Sequence, residues 1–298
     1  MSDNTDQQSR RKMKLIVSHV HNLPTPPSVF HRINEAINDP DTSAFDVANT
    51  ISDDPALTAK VLRLTNSAFY GVPRTVTTVK QAIVILGLEV VKPLVTSASV
   101  LEMFSHREKP DAEYLDYFWR HSLAAAIVAR IISRENQIPS LPEAAVAFSA
   151  GLLHDIGKLI IVSELKEAHL EIKEALERNQ ALSEYGAEMT VLGFSHAEIG
   201  ASLCVEWNLP EAICRATAFH HEGTLAGSDT WIALVHLSNH LGHLIDIPGN
   251  RFHTNQAPFC DESWTCLNLS PSQMDHLLDS LKTEFAAAEV LIKPARGL

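Results

Sequence analysis

The sequence predicts an all-α protein. Three observations carry that expectation. Apolar residues recur at intervals of three and four through most of the chain. Capping residues bracket those stretches, with Ser, Thr or Asp before them and Gly after. No segment alternates with period two between Asn-Gly or Asp-Gly turns, so no sheet is expected.

The opening residues 1–13 are polar and read as a solvated tail. In "SDDPALTAKVLRLTNSAFYG", Asp54 is the expected N-cap and Pro55 the first helical position. Leu57, Val61, Leu64 and Ala68 form one apolar face, and Gly71 lies past the end. "TVKQAIVILGLEVVKPLV" opens with Thr78 and Gln81 at capping-box spacing, and Gly87 divides it into two helices. The charged stretch "HREKPDAEY" (106–114) marks a boundary between an N-terminal helical lobe, 14–109, and a second helical lobe, 110–298. "HSLAAAIVARIISR" has strong helix propensity. "SAGLLHDIGKLII" (149–161) reads as a buried helix, yet it carries His154, Asp155 and Lys158. Residues 248–272 are rich in Pro and Asn and read as a long loop. A last amphipathic helix is expected from about Gln273.

A formal net charge of -12 argues against a broad nucleic-acid or anionic-membrane surface. The one basic cluster, Arg10, Arg11, Lys12 and Lys14, sits in the polar start. The short-helix pattern around Gly87 invites comparison with a helix-turn-helix, but the charge weighs against DNA binding. No apolar segment opens the chain, so no signal peptide is expected. The longest apolar stretches are interrupted by charges, so no membrane span is expected. Cys204, Cys214, Cys260 and Cys266 form no CxxC pair and are read as reduced thiols.

Burying an imidazole, a carboxylate and an ammonium together is costly unless each is paired or meets a metal. The spacing suggests a partner set. Ser195 and Glu198 form a capping-box pair, so His196 starts a helix that ends near Trp207. Pro210 opens the next helix, and Gly223 lies beyond its end. Two helices of similar length around "NLP" fold back antiparallel. His196 is then beside His220 and His221. His121 lies on an earlier helix. Three histidines and a carboxylate suit Fe, Mn, Ni or Zn. The grouping admits two readings, a metal-type constellation or a polar network without one. Taken alone, His221 reads as a partner for a helix C-terminus.

Several separated segments carry a resemblance: "LPTPPSVFHRI", "DPALTAKVLRLTNSAFYG", "VKQAIVILGLEVVK", "GLLHDIGKL" and "VEWNLPEAI" followed by "HH". Over roughly residues 15 to 245 the chain resembles the HDOD family, signalling-output relatives of the HD phosphohydrolases and the HD-GYP cyclic-di-GMP phosphodiesterases. The resemblance implies a bacterial, cytoplasmic protein with an HD-type helical core behind an N-terminal helical lobe. It also implies two metal half-sites. One would use His121, His154 and Asp155 with a helical aspartate, at whose position this chain has Asn239. The other would use Asp155, His196, His220 and His221. Lys158 matches a lysine that meets substrate phosphate, so the resemblance implies that Lys158 and Asp155 would be catalytic if this chain is active. The Gly-Tyr-Pro loop of HD-GYP enzymes is absent; the chain reads "GTLAGSDTW" there.

The resemblance and the Asn239 departure together lead to a regulatory module acting through contacts with signalling proteins. Partial occupancy by a divalent transition metal is expected. No DNA and no membrane are expected as partners; a nucleotide ligand is compatible with the resemblance. The alternative is a metal-dependent phosphohydrolase or phosphodiesterase acting on a nucleotide or cyclic dinucleotide.

Overall fold

In a computed structural model, residues 42–66, 111–135, 144–179, 181–207, 209–245 and 259–289 are described, with parts of 70–99 and single positions at 32, 35, 36, 39 and 292. The polar tail, the basic cluster and residues 106–110 of the expected lobe boundary lie outside them. Every regular element among the described residues is helical, as the caps and periodicity predict.

The first described helices are α1 (Ala44–Ser52), α2 (Pro55–Thr65) and α3 (Val79–Leu86). Ser43 and Asp46 close a reciprocal capping box on α1. Asp54 caps α2, accepting from the Leu57 N–H at 3.0 Å. α2 stops at Thr65, several residues before the expected end. Asn66 then takes over pairing: its amide exchanges two 2.7 Å hydrogen bonds with the Val76 backbone. Ala68 and Gly71 lie outside the described residues. At α3 the capping box is not reciprocal. Thr78 accepts from Gln81 N–H, but the Gln81 side chain turns to Thr77. Gly87 ends α3 with φ 85°, a value glycine tolerates and most residues avoid. α1, α2 and α3 pack on one another, and their Val47, Ile51, Val61, Val79 and Ala82 belong to the same buried hydrophobic core as the helices that follow.

The helices that follow are built around α4 (Ala112–Glu135), whose residues from Leu123 to Ala129 are all buried. A helix that is apolar on every side is one packed on every side. α5 (Ala144–Leu153), α12 (Thr230–Leu244) and α14 (Met274–Ala288) all pack on it. Arg130 and Arg134 tie α4 to Glu284 of α14 at 2.6 and 3.1 Å. Between these lie α6 (Ile156–Glu164), α7 (Lys166–Arg178), α8 (Glu184–Val191), α9 (His196–Glu206), α10 (Glu211–Phe219) and α11 (Gly223–Ala226). α13 (Glu262–Cys266) falls inside the stretch read as a loop, so that expectation is corrected there. The loop reading missed it because a five-residue helix is too short to show periodicity. A 3-10 turn at Pro271–Gln273 leads into α14, close to the expected start.

The expected single helix across residues 149–161 is two helices. α5 ends at Leu153 and α6 begins at Ile156. His154 and Asp155 occupy the break, with Asp155 at φ -98° and ψ 10°. The His154 ring donates Nδ1–H to the Gly151 carbonyl at 2.7 Å, which satisfies a carbonyl at the end of α5. The break turns both side chains toward α9 and α10. The most apolar stretch of the run Ala144–Glu164 has mean hydropathy 1.6, and 94% of that stretch is buried inside the protein. It is a core element of this fold.

Candidate metal centre

Close backbone approach creates the site. α6 lies on α9 through Gly157 and Gly200. A Cβ on Gly157 would fall 2.0 Å from the His196 carbonyl oxygen. Only a glycine lets the start of α6, carrying Asp155, meet the start of α9, carrying His196. The α9–α10 pair folds back antiparallel, as the caps predicted. Ser195 and Glu198 form the capping box, and Pro210 serves as the N-cap of α10. His220 and His221, past the end of α10, therefore arrive beside His196.

Asp155 is the centre. Its Oδ1 lies 3.1 Å from His196 Nε2 and 3.3 Å from His220 Nε2. Its Oδ2 lies 2.7 Å from Lys158 Nζ, 3.3 Å from His154 Nε2 and 3.6 Å from His121 Nε2. His221 Nε2 is 3.0 Å and His220 Nε2 3.4 Å from His196 Nε2. One ligand atom from each of Asp155, His196, His220 and His221 falls within 4.8 Å of the others, and the same holds for His121, His154 and Asp155. The two groups share Asp155. Asn239 stands beside the second group, where His121 Nε2–H donates to Asn239 Oδ1 at 2.9 Å.

The donor set fits a divalent transition metal on an observation of the rings themselves. His154, His196 and His220 each commit Nδ1–H elsewhere: to Gly151 O, to Glu188 Oε2 at 2.6 Å, and to Thr217 O at 2.8 Å. Each Nε2 is thereby left facing the cluster. Histidines that bind metal through one nitrogen are oriented in this way through the other. His154 Nε2 and both Asp155 oxygens are fully buried, and apart from the ionic contacts just given they make no hydrogen bond of good geometry. Buried polar atoms are seldom left so unless something else meets them.

Electrostatics sharpen the picture. Burial pushes the Asp155 carboxyl upward, but His154, Lys158 and His196 outweigh it and hold it well below the usual carboxylate range. Burial alone would lower Lys158; Asp155 and Glu184, whose Oε2 is 2.9 Å away, instead raise it. Burial pushes His220 down to about 3, so that ring is neutral at neutral pH. His196 behaves oppositely. Burial acts to lower it, but Glu188 and then Asp155 carry it up to about 9.

That raised value has a measurable consequence. The unfolded ring titrates near 6.5. Stability from protonated His196 is therefore complete below about pH 6.5 and is lost as pH rises through about 9. A metal taking Nε2 must displace that proton. Apparent metal affinity should rise roughly tenfold per pH unit between about pH 6.5 and 8.5. Calorimetric titration with Mn(II) across that range checks it, and Glu188→Gln should flatten the slope. A pH-independent affinity in the parent protein would count against it.

Sequence reasoning brought together His121, His154, Asp155, Lys158, His196, His220, His221 and Asn239, and the structure places all eight in this one region. It missed Glu184, Glu188, Tyr114 and His236. Glu184 pairs with Lys158 and accepts from the Tyr114 hydroxyl. The acidic pair at i and i+4 in "EYGAEM" was the available signal, since that spacing puts both carboxylates on one helix face. His236 donates Nδ1–H to the His220 carbonyl at 2.7 Å and accepts from the Cys260 N–H at 3.0 Å. It pins the turn that carries two histidines. Nothing local in the sequence marks it.

Comparison with known proteins adds the following. The HDOD domain matches residues 23–223 of this chain. An uncharacterized protein of Treponema pallidum (strain Nichols) is 26% identical over 214 residues, 72% of this chain. The chain spans only 40% of that relative's length. A crystal structure of an HDOD domain protein of unknown function from Geobacter sulfurreducens superposes with a TM-score of 0.69 at 24% identity, covering 98% of this chain and 97% of that one. A Marinobacter aquaeolei VT8 protein, provisionally assigned to signal transduction, superposes with a TM-score of 0.77 at 21% identity. That match covers 99% of this chain and 66% of the other.

Proposed function

The chain belongs to the HDOD family, and from that premise we propose that it is a signalling output module that acts through protein contacts rather than by hydrolysing phosphate. The observation that carries this reading is the His121–Asn239 hydrogen bond. Where the active relatives would have a carboxylate, a neutral amide accepts from the nitrogen that would otherwise face a metal. An amide adds no charge to hold a divalent ion. Hydrolysis by a two-metal site needs both ions to clamp attacking and leaving oxygens. Lys158 is also turned inward onto Asp155 and Glu184. We read the centre as degenerate, with metal held by Asp155, His196, His220 and His221 and with partial occupancy.

The surface supports a role in protein contacts. The apolar face of α2 is not the feature: Leu57 and Val61 are buried. Instead α1 and α3 turn Phe45, Val84 and Ile85 outward, Val84 at 84% exposure. Signalling proteins are the partner class this reading takes, in a cytoplasmic setting.

A second reading keeps one specific observation in its favour. The Asp155, His196, His220 and His221 set is complete, and a divalent ion there would supply Lewis acidity toward a phosphoryl oxygen. Turnover assays separate the two readings, with cyclic dinucleotides, nucleotides and a generic phosphodiester, each with Mn, Fe and Ni. No turnover is expected. Robust turnover lost in Asp155→Ala would install the phosphohydrolase reading.

Asn239→Asp is expected to raise metal bound per chain, read by inductively coupled plasma mass spectrometry after loading with Mn. Unchanged metal content would show that Asn239 is not the altered ligand position.

A further inference from the structure

We propose that Cys204 and Cys214 form an oxidation site, closing to an intrachain disulfide when the protein meets a hydroperoxide. The two thiols sit on facing helices of the α9–α10 hairpin, near its closed end. Cys204 is fully buried and Cys214 is half-buried. The Cys204 thiol donates to Thr217 Oγ1 at 3.8 Å, and Thr217 is one helical turn past Cys214. Leu209, in the connection, bonds to both residues. Its N–H donates to the Cys204 carbonyl at 2.9 Å, and its carbonyl accepts from the Cys214 thiol at 3.5 Å. The hairpin thus brings the two cysteines onto facing turns of α9 and α10, bridged by Leu209 and Thr217.

The surroundings assign the two roles. Contact with Cys204 lowers the Cys214 pKa, which enriches its thiolate, and Cys214 is the thiol that solvent reaches. The same contact and then burial push Cys204 well up, so it stays protonated until a partner sulfur is presented. In the first step the Cys214 thiolate attacks one oxygen of the hydroperoxide. The O–O bond breaks, the other oxygen leaves and is protonated, and Cys214 becomes a sulfenic acid. In the second step the Cys204 sulfur attacks the Cys214 sulfur. The S–S bond forms, the S–O bond breaks, and hydroxide leaves as water with the Cys204 proton. Two thiols lose two electrons, and the peroxide gains them. Cys260 and Cys266 serve as internal controls, because burial raises the pKa of both.

The test uses the full chain, reduced and then treated with hydrogen peroxide. Free thiols are alkylated before peptide mapping. No Lys or Arg lies between Arg178 and Arg215, so one tryptic peptide carries both cysteines. It should appear unalkylated and lighter by two hydrogens, and dithiothreitol should restore both alkylation sites. Cleavage after Glu206 and Glu211 should leave two fragments joined until reduction. In Cys204→Ser the Cys214 sulfenic acid should persist and be trapped by dimedone. In Cys214→Ser the Cys204 thiol should stay unmodified. Free alkylation of both cysteines after peroxide would overturn the proposal, as would pairing with Cys260, Cys266 or a second chain.

Discussion

Asp155→Ala is expected to strip the protein of divalent metal altogether. Asp155 is the one residue common to both ligand groups, so its loss damages each of them. Metal bound per chain should fall to background, with affinity weaker by at least about 100-fold. Stability should fall as well. Lys158 would keep Glu184 and His196 would keep Glu188, but both would lose their shared anion inside the core. Removing one partner from a buried ion pair costs about 3 kcal/mol. Asp155→Asn preserves the volume and should show the same metal loss with a smaller fall in stability. Metal content measured on both variants, beside chemical unfolding, checks this. Wild-type metal levels in Asp155→Ala would remove Asp155 from the site.

Gly157→Ala is the second large effect expected, from the addition of a single methyl group. The new Cβ would stand 2.0 Å from the His196 carbonyl and 2.8 Å from the Gly200 nitrogen. Both are backbone atoms, so no side chain can swing aside. Overpacking of this kind costs about 3 kcal/mol and should lower Tm by roughly 5 °C. Because α6 and α9 must part to admit it, Asp155 and His196 separate, and metal affinity should fall roughly 10- to 100-fold. Gly87→Ala is the contrast. Nothing lies within 4 Å of a Cβ there, and its cost is backbone strain alone, far from the centre. If Gly157→Ala melted and bound metal like the parent, the close approach of α6 and α9 would not be what builds the site.

Much of this arrangement was legible because the sequence carries helix ends as well as helix faces. Ser195 with Glu198, and Pro210 with Gly223, delimit α9 and α10 closely enough to place His196 beside His220. The break between α5 and α6 was not legible. Apolar residues flank it on both sides, and a continuous apolar run shows no periodicity from which a register change could be read. Glu184 and Glu188 were missed for another reason. Their i, i+4 spacing marks one shared helix face, but it does not say that Glu184 meets Tyr114 seventy positions away or that Glu188 meets His196 eight away. Caps and periods report on the chain's neighbours along the sequence. The charge balance of a core is settled by contacts between distant segments.

Lys158 gives the metal-free chain a counter-ion of its own. Small zinc domains fold only when the metal arrives, because unneutralised ligands cannot be buried without it. Here an ammonium already stands against the shared carboxylate, so closing the core and loading the centre are separate events. A chelator should empty this protein without unfolding it. A metal taken up there would then leave the folded domain behind when it departs.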